Sequence, residues 1–95
     1  MSSDSTILNK VKLALRVTYD DFDDELRDLI KAAQSDLRIA GVDGVDAVAS
    51  DPLTMRAIIT YCKMHFGEAE DYDKLKASYD EQKAQLSMAG GYTTW

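Results

Sequence analysis

Asp51-Pro52-Leu53-Thr54-Met55-Arg56-Ala57-Ile58-Ile59-Thr60-Tyr61-Cys62-Lys63-Met64-His65-Phe66-Gly67 is the stretch around which the rest of this chain must be arranged. Its first two residues are a strong helix start. Aspartate offers a carboxylate to the unpaired amide hydrogens of a first turn, and proline at the first helical position lacks a hydrogen that would have had no partner there. Leu53, Ala57, Ile58, Tyr61, Cys62, His65 and Phe66 then recur at helical spacing along one broad face, and Gly67 ends the run. A face this wide on a helix with so few charges predicts the centre of the core.

Working upstream, Phe22, Leu26, Leu29, Ile30, Ala33 and Leu37 mark a second and longer stripe, followed by Gly41 as the left-handed residue that commonly succeeds a helix end. Asp20, Asp21, Asp23, Asp24 and Glu25 lie at the positive end of that helix's dipole, where carboxylates contribute about 0.3–1 kcal/mol each. A calcium loop of the EF-hand kind is ruled out by register. Counting from Asp21, Leu26 falls where the loop needs glycine and Ala32 where it needs a bidentate glutamate. Earlier still, Ile7, Leu8, Val11, Ala14 and Leu15 form a first stripe, with Asn9, Lys10 and Lys12 turned mostly away. Ser3, Asp4 or Ser5 can cap this helix, and β-branched residues weaken it near Arg16-Val17-Thr18. Gly41 to Ser50 reads as a connection, in which a short 3₁₀ turn and a small extended excursion both fit.

Downstream, a fourth helix opens at Asp71 and carries Tyr72, Leu75, Tyr79, Gln82 and Leu86, a narrow and half-polar seam. Glu70–Lys74, Lys76–Asp80 and Asp80–Lys83 are spaced to pair along it. So thin a seam predicts a helix at the edge of the bundle or one completed by another subunit. The paired Gly90 and Gly91 are expected to end the helix and form a joint. Met88 before that joint and Tyr92, Thr93, Thr94 and Trp95 beyond it would make up a tail carrying the only tryptophan, which either folds back or anchors on a partner. The fold class is therefore all-α, a small bundle of about four helices with a flexible C-terminal tail, divided as residues 1–87 for the helical domain and 88–95 for the tail.

At 95 residues the chain makes one domain that can bury only roughly 60–65% of its unfolded surface, leaving surface for neighbours. Its 17 acids against 11 bases give a net charge of −6, concentrated toward the two ends, which argues against a grip on nucleic-acid phosphates. The single Cys62 cannot form an internal disulfide, which points to a reducing cytosol. Neither a secretion signal nor an apolar run of membrane-spanning length is present, so a soluble intracellular product without membrane association is expected.

Catalytic chemistry finds no set of residues. Cys62 and His65 share a helical face, but two ligands are too few for zinc, and His65 reads better as a satisfied, partly buried histidine. No glycine-rich oxyanion or phosphate loop accompanies them, and no nucleophile elbow occurs. The expectation is no enzyme, no catalytic residue, no metal site and no cofactor.

A helix ending in Leu15-Arg16-Val17, the acids of 20–25 before Leu26, Leu29, Ile30 and Ala33, and Asp51-Pro52-Leu53 leading into Arg56-Ala57-Ile58-Ile59 and Tyr61 form a joint pattern. With Tyr79-Asp80-Glu81-Gln82-Lys83-Ala84-Gln85-Leu86 running into Gly91-Tyr92-Thr93-Thr94-Trp95, that pattern resembles the small head–tail connector proteins of tailed bacteriophages. This group is also labelled as DNA-packaging or head-completion adaptor proteins. The resemblance implies a structural subunit of the virion, made in the host bacterial cytoplasm. Such a subunit assembles with neighbouring copies as a ring under the portal protein, prolongs the DNA channel and docks a stopper or tail-completion protein. On that basis Met88, Tyr92, Thr93, Thr94 and Trp95 are candidates for a portal or subunit interface. Tyr72, Leu75, Tyr79, Gln82 and Leu86 are candidates for an inter-subunit helix face. Asp20, Asp21, Asp23, Asp24 and Glu25 are candidates to face the channel, where DNA would pass without specific binding. An acidic inhibitor or DNA mimic is the alternative that the charge also allows.

Overall fold

The computed structural model describes residues 3–42, 52–67 and 70–92, the side chains of residues 3–5 and 89–92 excepted. Four helices follow one another: α1 (Ser3–Leu15), α2 (Asp23–Ile39), α3 (Pro52–His65) and α4 (Tyr72–Tyr92). No strand occurs among the described residues. α1, α2 and α3 pack on one another, and α4 lies chiefly against α3, so α3 is the hub as its wide apolar face requires. Ile7, Val11, Leu26, Leu37, Ile58 and Cys62 are fully enclosed where the helices meet, and Tyr79 closes the core from α4.

Two helix ends share one device. At the end of α1, Val17 N–H donates to Lys12 O at 2.9 Å and Arg16 N–H to Leu13 O at 3.2 Å. At the end of α2, Val42 N–H donates to Leu37 O and Gly41 N–H to Arg38 O, both at 3.0 Å. These are the paired reverse bonds of a Schellman motif, in which one left-handed residue turns the chain back and the next apolar residue tucks under the last turn. Gly41 supplies the left-handed position in α2 at φ +94°, and Val42 is buried beneath it. In α1 the position is held by Arg16 at φ +61°, so that helix is ended by a specific hydrogen-bonded turn with buried Val17, not by weak propensity alone.

Several sequence expectations are corrected. Leu53, counted on the apolar face of α3, is 66% exposed and lines the margin between α3 and α4. Thr54, Met55 and Met64 are buried instead, since α1 and α2 on one flank and α4 on the other cover more of α3 than one stripe. His65 is exposed, not partly buried, and lies between two tyrosine rings. Lys83 does not pair with Asp80; it reaches across to Asp36 on α2. Backbone helix also runs through Gly90 and Gly91 to Tyr92. Glycine lowers helix stability by roughly 0.5–1 kcal/mol relative to alanine but does not forbid the helical angles. Of the Gly41–Ser50 connection, residues 43–50 lie outside the described residues, as do Asp51 and Thr93–Trp95.

Candidate functional site

The acidic corner between α1 and α2 is built by a lysine the apolar pattern assigned to the outer face. Lys12, its side chain 13% exposed, brings Nζ to 2.7 Å from Asp20 Oδ1 and 2.8 Å from Asp23 Oδ1. The first contact is a hydrogen bond, whereas the second is an ion pair by distance whose direction misses hydrogen-bond geometry. The hydrogen bond to Asp20 and then the close Asp23 carboxylate raise the Lys12 pKa, and the bond from Lys12 lowers that of Asp20. Asp23, Asp24 and Glu25 occupy the first turn of α2, where the helix dipole favours them. Asp24 accepts from Arg27 at 3.2 Å, and Asp21, Asp24 and Glu25 stand exposed. Two of the five channel candidates are thus tied into the α1–α2 junction, and three project their charge outward. Tyr19 and Phe22 stack beside them at 5.7 Å, and Phe22 meets Phe66 edge-on at 5.4 Å.

The seam of α4 is turned onto α3 of its own chain. Tyr79 is buried, Leu75, Gln82 and Leu86 are half-buried, and Tyr72 is 39% exposed at the start of the helix. Tyr79 Oη donates to Asp36 Oδ2 at 2.6 Å, and Lys83 Nζ donates to the same oxygen at 3.1 Å while passing 5.2 Å from the Tyr79 ring centre. Burial raises the Asp36 pKa, but the bonds from Tyr79 and Lys83 outweigh it and hold the carboxyl below its ordinary value. Burial, then the Asp36 charge, push the Tyr79 and Tyr61 phenols upward. The sequence shows that Tyr79 and Lys83 share a face, but no local spacing announces Asp36, which arrives from a helix more than forty residues earlier.

Next to this network Tyr61 meets Tyr79 at 5.4 Å and His65 at 4.5 Å, and His65 meets Tyr72 at 6.0 Å. Cys62, one turn before Phe66, is enclosed, and burial raises its thiol to about 12, which keeps it protonated at neutral pH and a poor nucleophile. Cys62 inside and His65 outside therefore do not converge on one ligand. Among the described residues no three His, Cys, Asp or Glu side chains cluster in a way that could hold a metal ion. No helix among them is long and apolar enough to cross a membrane.

The mouth between α3 and α4 completes the inventory. Leu53, Arg56, Gln82, Gln85 and Leu86 line a groove of about 270 Å³. Gln82 Oε1 is buried without a hydrogen-bond donor, and Met88, further along α4, is 69% exposed. Leu53 and Arg56 entered the sequence reading through helix register and the family resemblance, not as the wall of a groove, because a groove between two helices leaves no trace in either one.

A sequence model described as phage connector protein matches residues 7–93, which takes in all of α2, α3 and α4 and α1 from Ile7 onward. The chain belongs to the phage connector protein family. No curated protein and no solved structure matched it.

Proposed function

We propose that the chain is a non-enzymatic structural subunit of the head–tail junction, which forms a ring with its own copies beneath the portal, extends the DNA channel and presents a surface to a stopper or tail-completion protein. The observation that carries this is the family match over residues 7–93 on an all-helical domain. Physical features of the chain support it. The net charge of −6 and the exposed Asp21, Asp24 and Glu25 suit a wall past which phosphates slide, the reverse of the cationic surfaces that bind DNA by releasing counterions. Met88 and the residues from Tyr92 to Trp95 supply the aromatic and thioether groups that serve as anchors in protein interfaces.

The test is complementation. Particles made without the chain are supplied with the full sequence or with a version truncated after Gly90. The full sequence is expected to enter particles and restore tail joining, while the truncated chain folds but stays out. Incorporation of the truncated chain at the full level contradicts the anchor role. If the purified chain binds a basic DNA-processing enzyme and ignores the portal, it is an acidic inhibitor instead.

A further inference from the structure

Arg16 holds the left-handed position of the turn that ends α1, at φ +61°, a place that Gly41 fills without steric cost in the matching turn of α2. Strain of this kind gathers at functional sites, which directs attention to what the side chain presents. It presents a guanidinium that is exposed and, among the described residues, has no ion-pair partner. Leu13, whose carbonyl accepts from the Arg16 N–H at 3.2 Å, is 81% exposed in the same turn. The end of α1 is thus a knob with an aliphatic group and a cation.

The α4 flank carries a complementary ledge. Tyr72, 39% exposed at the start of α4, meets His65 at 6.0 Å, and His65 meets Tyr61 at 4.5 Å. Glu70, Asp71 and Asp73 stand exposed around Tyr72 in sequence. A phenol ring among carboxylates accepts a guanidinium on its face and matches its charge at the rim, while neighbouring rings cover an aliphatic side chain. Knob and ledge belong to opposite flanks of α3, since α1 packs on α2 and α3 and α4 lies chiefly against α3.

We propose that Leu13 and Arg16 of one copy dock on the Tyr72 ledge of a second copy, head to tail. The proposal rests on the ring reading and names the contact that builds the ring. Two different patches make a heterologous contact, which repeats from copy to copy and closes only when the rotation brings no rise along its axis. The fold meets that condition for an axis along the bundle, because knob and ledge share one of its ends. Lys12 near the end of α1 holds Asp23 at the start of α2, Phe22 meets Phe66 just past α3, and His65 in the last turn of α3 meets Tyr72. On a chain with net charge −6, copies of itself supply the carboxylates that Arg16 lacks.

Sedimentation of the purified full chain and its variants tests the contact. Arg16→Glu removes the knob, and Tyr72→Ala with Asp73→Lys removes the ledge, with circular dichroism checking that both fold. The mass of the parent is expected to rise with concentration past two copies. Either variant alone is expected to associate about tenfold or more weakly. An equal mixture of the two should stop at a dimer, because one intact knob and one intact ledge remain per pair. Arg16→Gly separates docking from folding: it relieves the backbone and should melt later, yet associate as weakly as Arg16→Glu. The proposal is overturned by a parent that stays monomeric at millimolar concentration, by variants that associate as the parent does, or by a mixture that grows past the dimer. A chain that binds the portal while its variants associate as the parent does loses this contact and keeps the ring. A chain that binds no portal loses the ring reading itself.

Discussion

At Asp36 one carboxylate oxygen accepts from two side chains of another helix, Tyr79 Oη at 2.6 Å and Lys83 Nζ at 3.1 Å. Its folded-state pKa lies below the ordinary value near 3.9, so between the two the folded chain binds fewer protons than the unfolded one. The stabilisation is therefore fully present above about pH 5 and is lost as pH falls through the folded-state pKa. Asp36→Asn should lower stability at pH 7 by about 1–2 kcal/mol, a modest figure because the side chain is 37% exposed and solvent screens the charge. Urea melts at pH 7 and pH 3 check this, and an equal deficit at both pH values excludes the charge as its source. Arg16 offers a test of opposite sign. A non-glycine residue at φ +61° carries a steric cost that glycine avoids, so Arg16→Gly should raise stability by about 1 kcal/mol in the same melts. Neither position was legible beforehand. Arg16 looked like part of a propensity stop and Asp36 drew no reading, because the groups that give each its role come from hydrogen bonds the one-dimensional pattern does not contain.

Helix α4 spans 21 residues, about 32 Å, and among its described side chains the α3-facing seam is the covered part. Its stability rests on that seam and on the Asp36 contact, with Lys76–Asp80 at 2.9 Å adding an exposed pair. Replacing Gly90 and Gly91 together with alanine should increase the helical signal at 222 nm and stabilise the last turn by up to about 1–2 kcal/mol. An unchanged signal would mean that the helix ends before the glycines in solution. α3 provides the contrast between a buried position and an exposed one. Ile58→Ala should cost about 2–5 kcal/mol, whereas Leu53→Ala should stay within about 0.5 kcal/mol in unfolding experiments. Helix register was readable along α2, where Leu26, Ile30, Ala33 and Leu37 of the predicted stripe are all buried. It failed for Thr54, Met55 and Met64, since a helix covered on two flanks buries residues that a single-stripe pattern places outside.

For the whole molecule, exposed acids and open apolar surface lie in different places. The outward acids gather at the α1–α2 corner, with Lys12 binding two of the five into the fold, while the open apolar groove lies between α3 and α4. Composition made the charge visible and helical spacing made the four elements visible. The groove could not be read in this way, because its walls come from residues about thirty apart in sequence. Substituting lysine for Asp21, Asp24 and Glu25, which spares the Lys12 clamp, should slow DNA release from assembled particles, and unchanged release would remove the acids from the channel wall. The central claim is that the chain acts by joining other virion proteins. Its most direct test is the mass of the purified chain mixed with the portal protein of its own phage, measured by sedimentation. A portal that gains several copies of the full chain and none of the chain truncated after Gly90 is the predicted result. A portal whose mass stays the same with the full chain in excess would contradict the account.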